Sequence, residues 1–160
     1  MSNISICSKI ELINEKFPKK RKRKLIIIGA STGGPRAIET ILTKLPSTLN
    51  AAILIVQHMP PGFTQGFAQR LDGLCEVTVK EAEHGEEIRN GFAYIAQGGS
   101  HMHIRQSDAL TIGIDHGEPR NSHRPSIDVL CETAGRLEGC SIISVILTGM
   151  GNDGTEGIRI

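Results

Sequence analysis

The sequence predicts an α/β fold: a doubly wound, mostly parallel sheet with helices on both faces and a short antiparallel insertion in the middle. Three observations carry this. Leu25-Ile26-Ile27-Ile28 and Ala52-Ile53-Leu54-Ile55-Val56 are short, mostly β-branched apolar runs, as expected of strands buried on both faces. Each is followed by a stretch with helical apolar spacing, so strands alternate with helices. Between residues 77 and 114 the pattern changes to short segments separated by Gly98-Gly99-Ser100 and Gln106-Ser107-Asp108, which reads as an antiparallel insertion.

The first strand runs into Gly29-Ala30-Ser31-Thr32-Gly33-Gly34-Pro35. The glycines permit a sharp bend and close backbone approach. Pro35 suits a first helical turn, where its missing N–H costs nothing. Ser31 or Thr32 could cap that helix, the glycines could cradle a phosphate, or Ser31 could be a nucleophile in a G-x-S-x-G bend. Pro35 to Lys44 predicts a helix with Ala37, Ile38, Ile41 and Leu42 on one stripe. The second strand ends in Gln57-His58-Met59-Pro60-Pro61-Gly62, which holds a turn. Thr64 is the expected cap of a helix running to about Leu71. Val77 and Val79 alternate as in a half-exposed strand, and Phe92 to Ala96, His101 to Ile104 and Ala109 to Ile114 are further strands. After a polar loop, His116 to Pro125, Ser126 caps a helix carrying Ile127, Leu130, Cys131, Ala134 and Leu137. Ile142 to Leu147 is a last buried strand, leading into Thr148-Gly149-Met150-Gly151-Asn152-Asp153-Gly154.

A chain of 160 residues has room for one real core. Aromatics at 3% argue against stacking platforms for single-stranded nucleic acid. No apolar run is long enough to cross a bilayer, and no signal peptide core is apparent, so a cytoplasmic location is expected. Cys7, Cys75, Cys131 and Cys140 show no C-x-x-C spacing and read as free thiols. The net charge of +1 hides an asymmetry: residues 1–24 hold eight Lys/Arg against two Glu, or +6, and residues 25–160 hold ten against fifteen, or −5. Residues 1–24 are therefore read as a basic linker or tail, and residues 25–160 as the folded domain. The acidic body offers no basic face, so no nucleic-acid partner is expected.

Three buried strands each lead to a reactive side chain: Ser31, His58 and Asp153. Parallel strands put all three on one sheet edge. A hydroxyl nucleophile, an imidazole base and an orienting carboxylate make a serine triad. Each also has a plainer reading, with His58 a turn histidine and Asp153 an N-cap for residues from Thr155. Gly149 to Gly154 also fits G-x-G-x-x-G, but no acidic residue follows at the required distance. A non-catalytic nucleotide- or phosphate-binding module would leave His58 and Asp153 idle. A general serine esterase of the α/β-hydrolase kind expects its acid before its histidine, the reverse of this chain.

Ile28 to Gly34, Gln57 to Phe63 and Leu147 to Gly154 resemble the catalytic domain of the chemotaxis protein-glutamate methylesterases, as do Gly91 to Ala96, Gly99 to Met102 and His123 to Leu130. The resemblance covers about Leu25 to the end. It implies hydrolysis of glutamate γ-methyl esters on methyl-accepting chemotaxis receptors, and deamidation of receptor glutamines, without a cofactor. It assigns Ser31 as nucleophile, His58 as general base and acid, and Asp153 as orienting carboxylate. Backbone N–H groups at Met150 and Thr32 are the candidate oxyanion donors, and Arg124 a possible substrate contact or a surface ion pair. His101-x-His103 lacks an accompanying Cys or carboxylate set and reads as structural, so no metal is expected. Family members usually carry a receiver domain first and a further helix and strand last. By that pattern residues 1–24 correspond to an interdomain linker, and the catalytic domain is expected to be C-terminally incomplete, leaving residues 142–147 less covered.

Overall fold

The computed structural model describes residues 22–157. The basic segment expected over residues 1–24 falls almost wholly outside them. Five parallel strands form one sheet in the order β3-β4-β2-β1-β7: β1 (Arg23–Ala30), β2 (Ala52–Gln57), β3 (Thr78–Glu81), β4 (Phe92–Ile95) and β7 (Cys140–Ile146). A separate antiparallel hairpin is made by β5 (His101–Gln106) and β6 (Leu110–Asp115). The helices are α1 (Gly34–Leu42), α2 (Thr64–Asp72) and α3 (Ile127–Gly135).

Alternate residues of the central strands feed two cores. Leu25, Ile27, Leu54 and Val56 meet α3 and the β5–β6 hairpin through Leu130, Met102 and Ile112. Ile28, Ile53 and Ile55 meet α1 and α2 through Ile38, Leu42, Phe67 and Leu71 on the opposite face. Covering both faces is why the strands read as continuous apolar runs; each fully buried Ile or Leu stabilises the fold by roughly 1.5–3 kcal/mol.

The expected fold class holds, with three corrections of detail. Residues 78–81 and 92–95 join the main sheet as parallel strands, so the insertion is confined to β5 and β6, which pack against a sheet face. Thr64 is the first residue of α2, not its cap; its hydroxyl donates to Glu81 and accepts from Gly98 N–H. The strand expected over 142–147 forms at 140–146, but it is an edge among the described residues. Cys140 and Ile142 pack toward α3, while Ile143 is 60% exposed and Ile146 is 40% exposed.

Candidate functional site at the carboxyl edge of the sheet

The register of β1 on β2 sets the site. Ala30 pairs with Gln57, so the residues that follow, Ser31 and His58, emerge side by side at one edge. The His58 N–H donates to Ala30 O at 3.0 Å. On the other flank of β1, Ser31 N–H donates to Thr148 O at 2.9 Å, bringing the loop after β7 to the same edge. Gln57 Nε2 donates to Ser31 O at 2.9 Å and fixes the bend from inside. Neither Ser31 nor Thr32 caps α1. The cap position is Gly33, at φ +79°, where a β-carbon would be strained, and Pro35 lies in the first turn. The Ser31 hydroxyl is thus not used as a helix cap.

Asp153 is the most constrained group of the three. Its side chain is 1% exposed. Oδ2 accepts from His58 Nε2 at 2.8 Å and from Ile127 N–H at 2.7 Å. Oδ1 accepts from the Ser126 hydroxyl at 2.7 Å, from Asp128 N–H at 3.3 Å and from Asn121 Nδ2 at 3.4 Å. Burial alone would push this carboxyl up, but the hydrogen bonds from His58, Ser126, Ile127 and Asp128 together hold it well below the usual carboxylate range. The plainer reading of Asp153 therefore needs correcting. It does sit at a helix start, but that of α3, about whose first N–H groups its carboxylate is folded, rather than of the turn after Thr155. Ser126 is the N-cap of α3 as expected, accepting from Val129 N–H.

The Nε2–H of His58 is committed to Asp153, and among the described residues its buried Nδ1 has no hydrogen-bond partner. Ser31, His58, Asp153, Thr148 and Met150 line one small cavity of about 90 Å³. Among the described residues the backbone N–H groups of Thr32 and Met150 make no hydrogen bond, and Met150 is 78% exposed. Arg124 borders an adjoining groove of about 230 Å³ together with His58, Met59 and His123. Its Nη1 donates to the carbonyls of His116 and Gly117, and among the described residues its Nε is buried without a partner and no carboxylate pairs with it. A cavity of about 610 Å³ lies at the opposite edge of the sheet beside Arg23 and Cys140, and none of Ser31, His58 and Asp153 lines it.

One neighbour was not singled out by sequence. The His123 ring stacks on the His58 ring, with centroids 3.8 Å apart and planes 13° from parallel. His58, His123 and Asp153 bring potential ligand atoms within 4.8 Å of one another. His123 Nδ1 donates to Asn121 O, and His58 Nε2 and Asp153 Oδ2 are bonded to each other. His101 is buried, with Nε2–H donating to Glu118 O and Nδ1 accepting from Ser126 N–H, a structural role.

Fold and site define a class: a doubly wound α/β protein that gathers a serine, a histidine and an aspartate at the carboxyl edge of a parallel sheet. Comparison with known proteins narrows it. The profile of the CheB methylesterase family matches residues 26–160, and the chain belongs to that family. It is 53% identical over 138 residues to a protein-glutamate methylesterase/protein-glutamine glutaminase of Halalkalibacterium halodurans, covering 86% of this chain and 40% of that one. It is 54% identical over 142 residues to a protein-glutamate methylesterase/protein-glutamine glutaminase 2 of Cupriavidus pinatubonensis, covering 88% and 40%. The crystal structure of the Thermotoga maritima CheB methylesterase catalytic domain superposes with a TM-score of 0.82 at 46% identity, covering 86% of this chain and 73% of that one. The chain thus spans some 40% of the length of these curated relatives. Among the described residues no helix is long and apolar enough to cross a membrane.

Proposed function

We propose that this chain is a serine hydrolase that removes methyl esters from glutamate side chains of chemoreceptors, and deamidates receptor glutamines, in the cytoplasm. The observation that carries the reading is the 2.8 Å bond from His58 Nε2 to Asp153 in the cavity that Ser31 also lines. Membership of the CheB methylesterase family supports this choice of substrate class. In the mechanism we assign, Ser31 Oγ attacks the ester carbonyl while the free Nδ1 of His58 takes its proton. Asp153 holds the imidazole in the tautomer that leaves Nδ1 a base, and stabilises the imidazolium that forms. The tetrahedral oxyanion is received by the Thr32 and Met150 N–H groups, a donor of this kind being worth about 3 kcal/mol. His58 returns the proton to the leaving oxygen and methanol departs; from a glutamine, ammonia departs. Water, deprotonated by His58, then attacks the acyl-serine and releases the glutamate and Ser31.

Arg124, at the rim of the adjoining groove, is the residue we assign to contact acidic groups flanking the ester. The same proposal includes the division into a basic linker over 1–24 and a catalytic domain from 25 onward, with a receiver domain as partner in a longer parent chain. The test is methanol release from a receptor fragment carrying γ-methyl glutamate. A Ser31→Ala chain with an unchanged circular dichroism spectrum should release none. Normal release by that folded variant would rule out Ser31 as nucleophile.

A further inference from the structure

The hydrogen bond to Asp153 fixes one edge of the His58 ring. It leaves the ring free to rock about the bond, and a base must be held within a fraction of an ångström and some 10–20° of its productive pose. A second constraint comes from His123. His123 lies flat against His58 at 3.8 Å and 13°. It is itself held in place from three sides. Arg120 and His123 exchange backbone bonds, N–H to O at 3.0 Å and 2.8 Å, closing a two-residue turn. Asn121 and Ser122 at its tip have φ of 50° and 63°, the positive values that such a hairpin turn requires. His123 Nδ1 donates to Asn121 O at 2.7 Å, which sets the ring's plane and tautomer. The turn is anchored to α3 by Arg120 Nη1 on Glu132 at 2.9 Å and by Asn121 Nδ2 on Asp128 at 2.8 Å. Asn121 Nδ2 also reaches Asp153 Oδ1 at 3.4 Å, so the group that stacks on the base and the group that bonds it share one framework.

We propose that His123 is a positioning residue for His58: its flat imidazole face, carried on the Arg120–His123 turn, sets the tilt of the base toward Ser31. The role belongs to the ring face, not to a titrating nitrogen, and it rests on the serine-hydrolase reading above. The tip of the turn, Asn121 and Ser122, is exposed, and His123 is half-buried outside both apolar cores, so its replacement should leave the fold intact.

The full 160-residue chain and its His123→Ala and His123→Phe variants are compared in three measurements. The first is the rate at which a fluorophosphonate probe labels Ser31. The second is methyl-ester hydrolysis resolved into kcat and KM. The third is the NMR resonance of the His58 Cε1–H, which a stacked ring shields. His123→Ala should slow labelling and lower kcat by about tenfold or more with KM little changed, as expected for misplacement of a reacting group. Its Cε1–H signal should move downfield. His123→Phe restores a flat face without a nitrogen and should recover most of the rate and the shielding. Equal labelling of the wild type and His123→Ala overturns the positioning role alone. So does a folded His123→Phe chain as slow as His123→Ala, because the nitrogen rather than the face would then be needed. A wild type that neither labels at Ser31 nor hydrolyses ester overturns instead the hydrolase reading on which the role rests.

Discussion

The carboxylate of Asp153 that accepts from His58 Nε2 at 2.8 Å also accepts the N–H groups of Ile127 and Asp128 at the start of α3. One buried group therefore orients the base and ties the loop after β7 to the helix that covers the sheet. The two duties predict a double effect from Asp153→Asn. An amide offers one acceptor oxygen where the carboxylate offered two, and turns its NH₂ toward donors. Stability should fall by about 1.5–3 kcal/mol, the range for a hydrogen bond to a charged group. The hydrolytic kcat should fall by roughly 10²–10⁴-fold, because the imidazole loses its enforced tautomer. Urea unfolding and methanol release measure the two separately. A wild-type rate from a folded Asp153→Asn chain would show that the base does not depend on this carboxylate.

The depressed pKa of Asp153 makes stability pH-dependent with a definite sign. In the unfolded chain an Asp titrates near 3.9, roughly the model-peptide value. In the fold Asp153 titrates well below that, despite burial, because of the hydrogen bonds from His58, Ser126, Ile127 and Asp128. Its contribution is thus fully present above the unfolded pKa and is lost as pH falls through the folded one. Between pH 7 and 5 it should be constant. Below about pH 4 the wild type should lose about 1.4 kcal/mol per pH unit through this one group, until the folded pKa is reached. Asp115 is also lowered, by the Gly117 N–H and by His103, but its side chain is 46% exposed and solvent screens its share. Urea midpoints from pH 5 to 2 should therefore fall more steeply for the wild type than for Asp153→Asn. Parallel curves would remove Asp153 as the source.

How much of this was legible depended on what each residue's neighbours are. Residues 25–28 and 52–56 are apolar without a break because both their faces are covered, and that signal survives in one dimension. Ser31, His58 and Asp153 follow the ends of strands or their loops, so parallel pairing alone brings them to one edge. Strand direction was not legible at Thr78–Glu81 and Phe92–Ile95. A four-residue strand looks the same in sequence whether its partner runs parallel or antiparallel. Ser126 announces itself as a cap through the helix it begins, yet its hydroxyl proton goes to a residue 27 positions away. Likewise Asp153 serves the start of a helix that precedes it by 26 positions, where local reading offers only the turn ahead. The stack of His123 on His58 has no periodic signature. The one hint is Asn121-Ser122 in a polar loop, a pair suited to a tight turn.

A last prediction concerns the contact that brings the loop after β7 against the nucleophile. A β-carbon at Gly149 would stand 2.7 Å from Ser31 Cβ and 3.3 Å from Ser31 N. Neither atom can step aside, because Ser31 N–H is bonded to Thr148 O and Ser31 O is held by Gln57. Gly149→Ala must therefore push apart the end of β1 and the loop that carries Met150 and Asp153. Overpacking of this kind costs about 1–3 kcal/mol. The larger effect should be on the reaction, because the displacement falls between the Ser31 hydroxyl, the Met150 N–H and the base; a shift near 1 Å is enough to lower the rate by about a hundredfold. Gly66→Ala is the matched control. It lies in α2 at ordinary φ with nothing within 4 Å of an added β-carbon, and should leave the rate unchanged while raising stability by about 0.5–1 kcal/mol. Urea midpoints and methanol release for the two variants make the comparison. If Gly149→Ala matched Gly66→Ala in both, close contact at Gly149 would not be what holds the loop to Ser31.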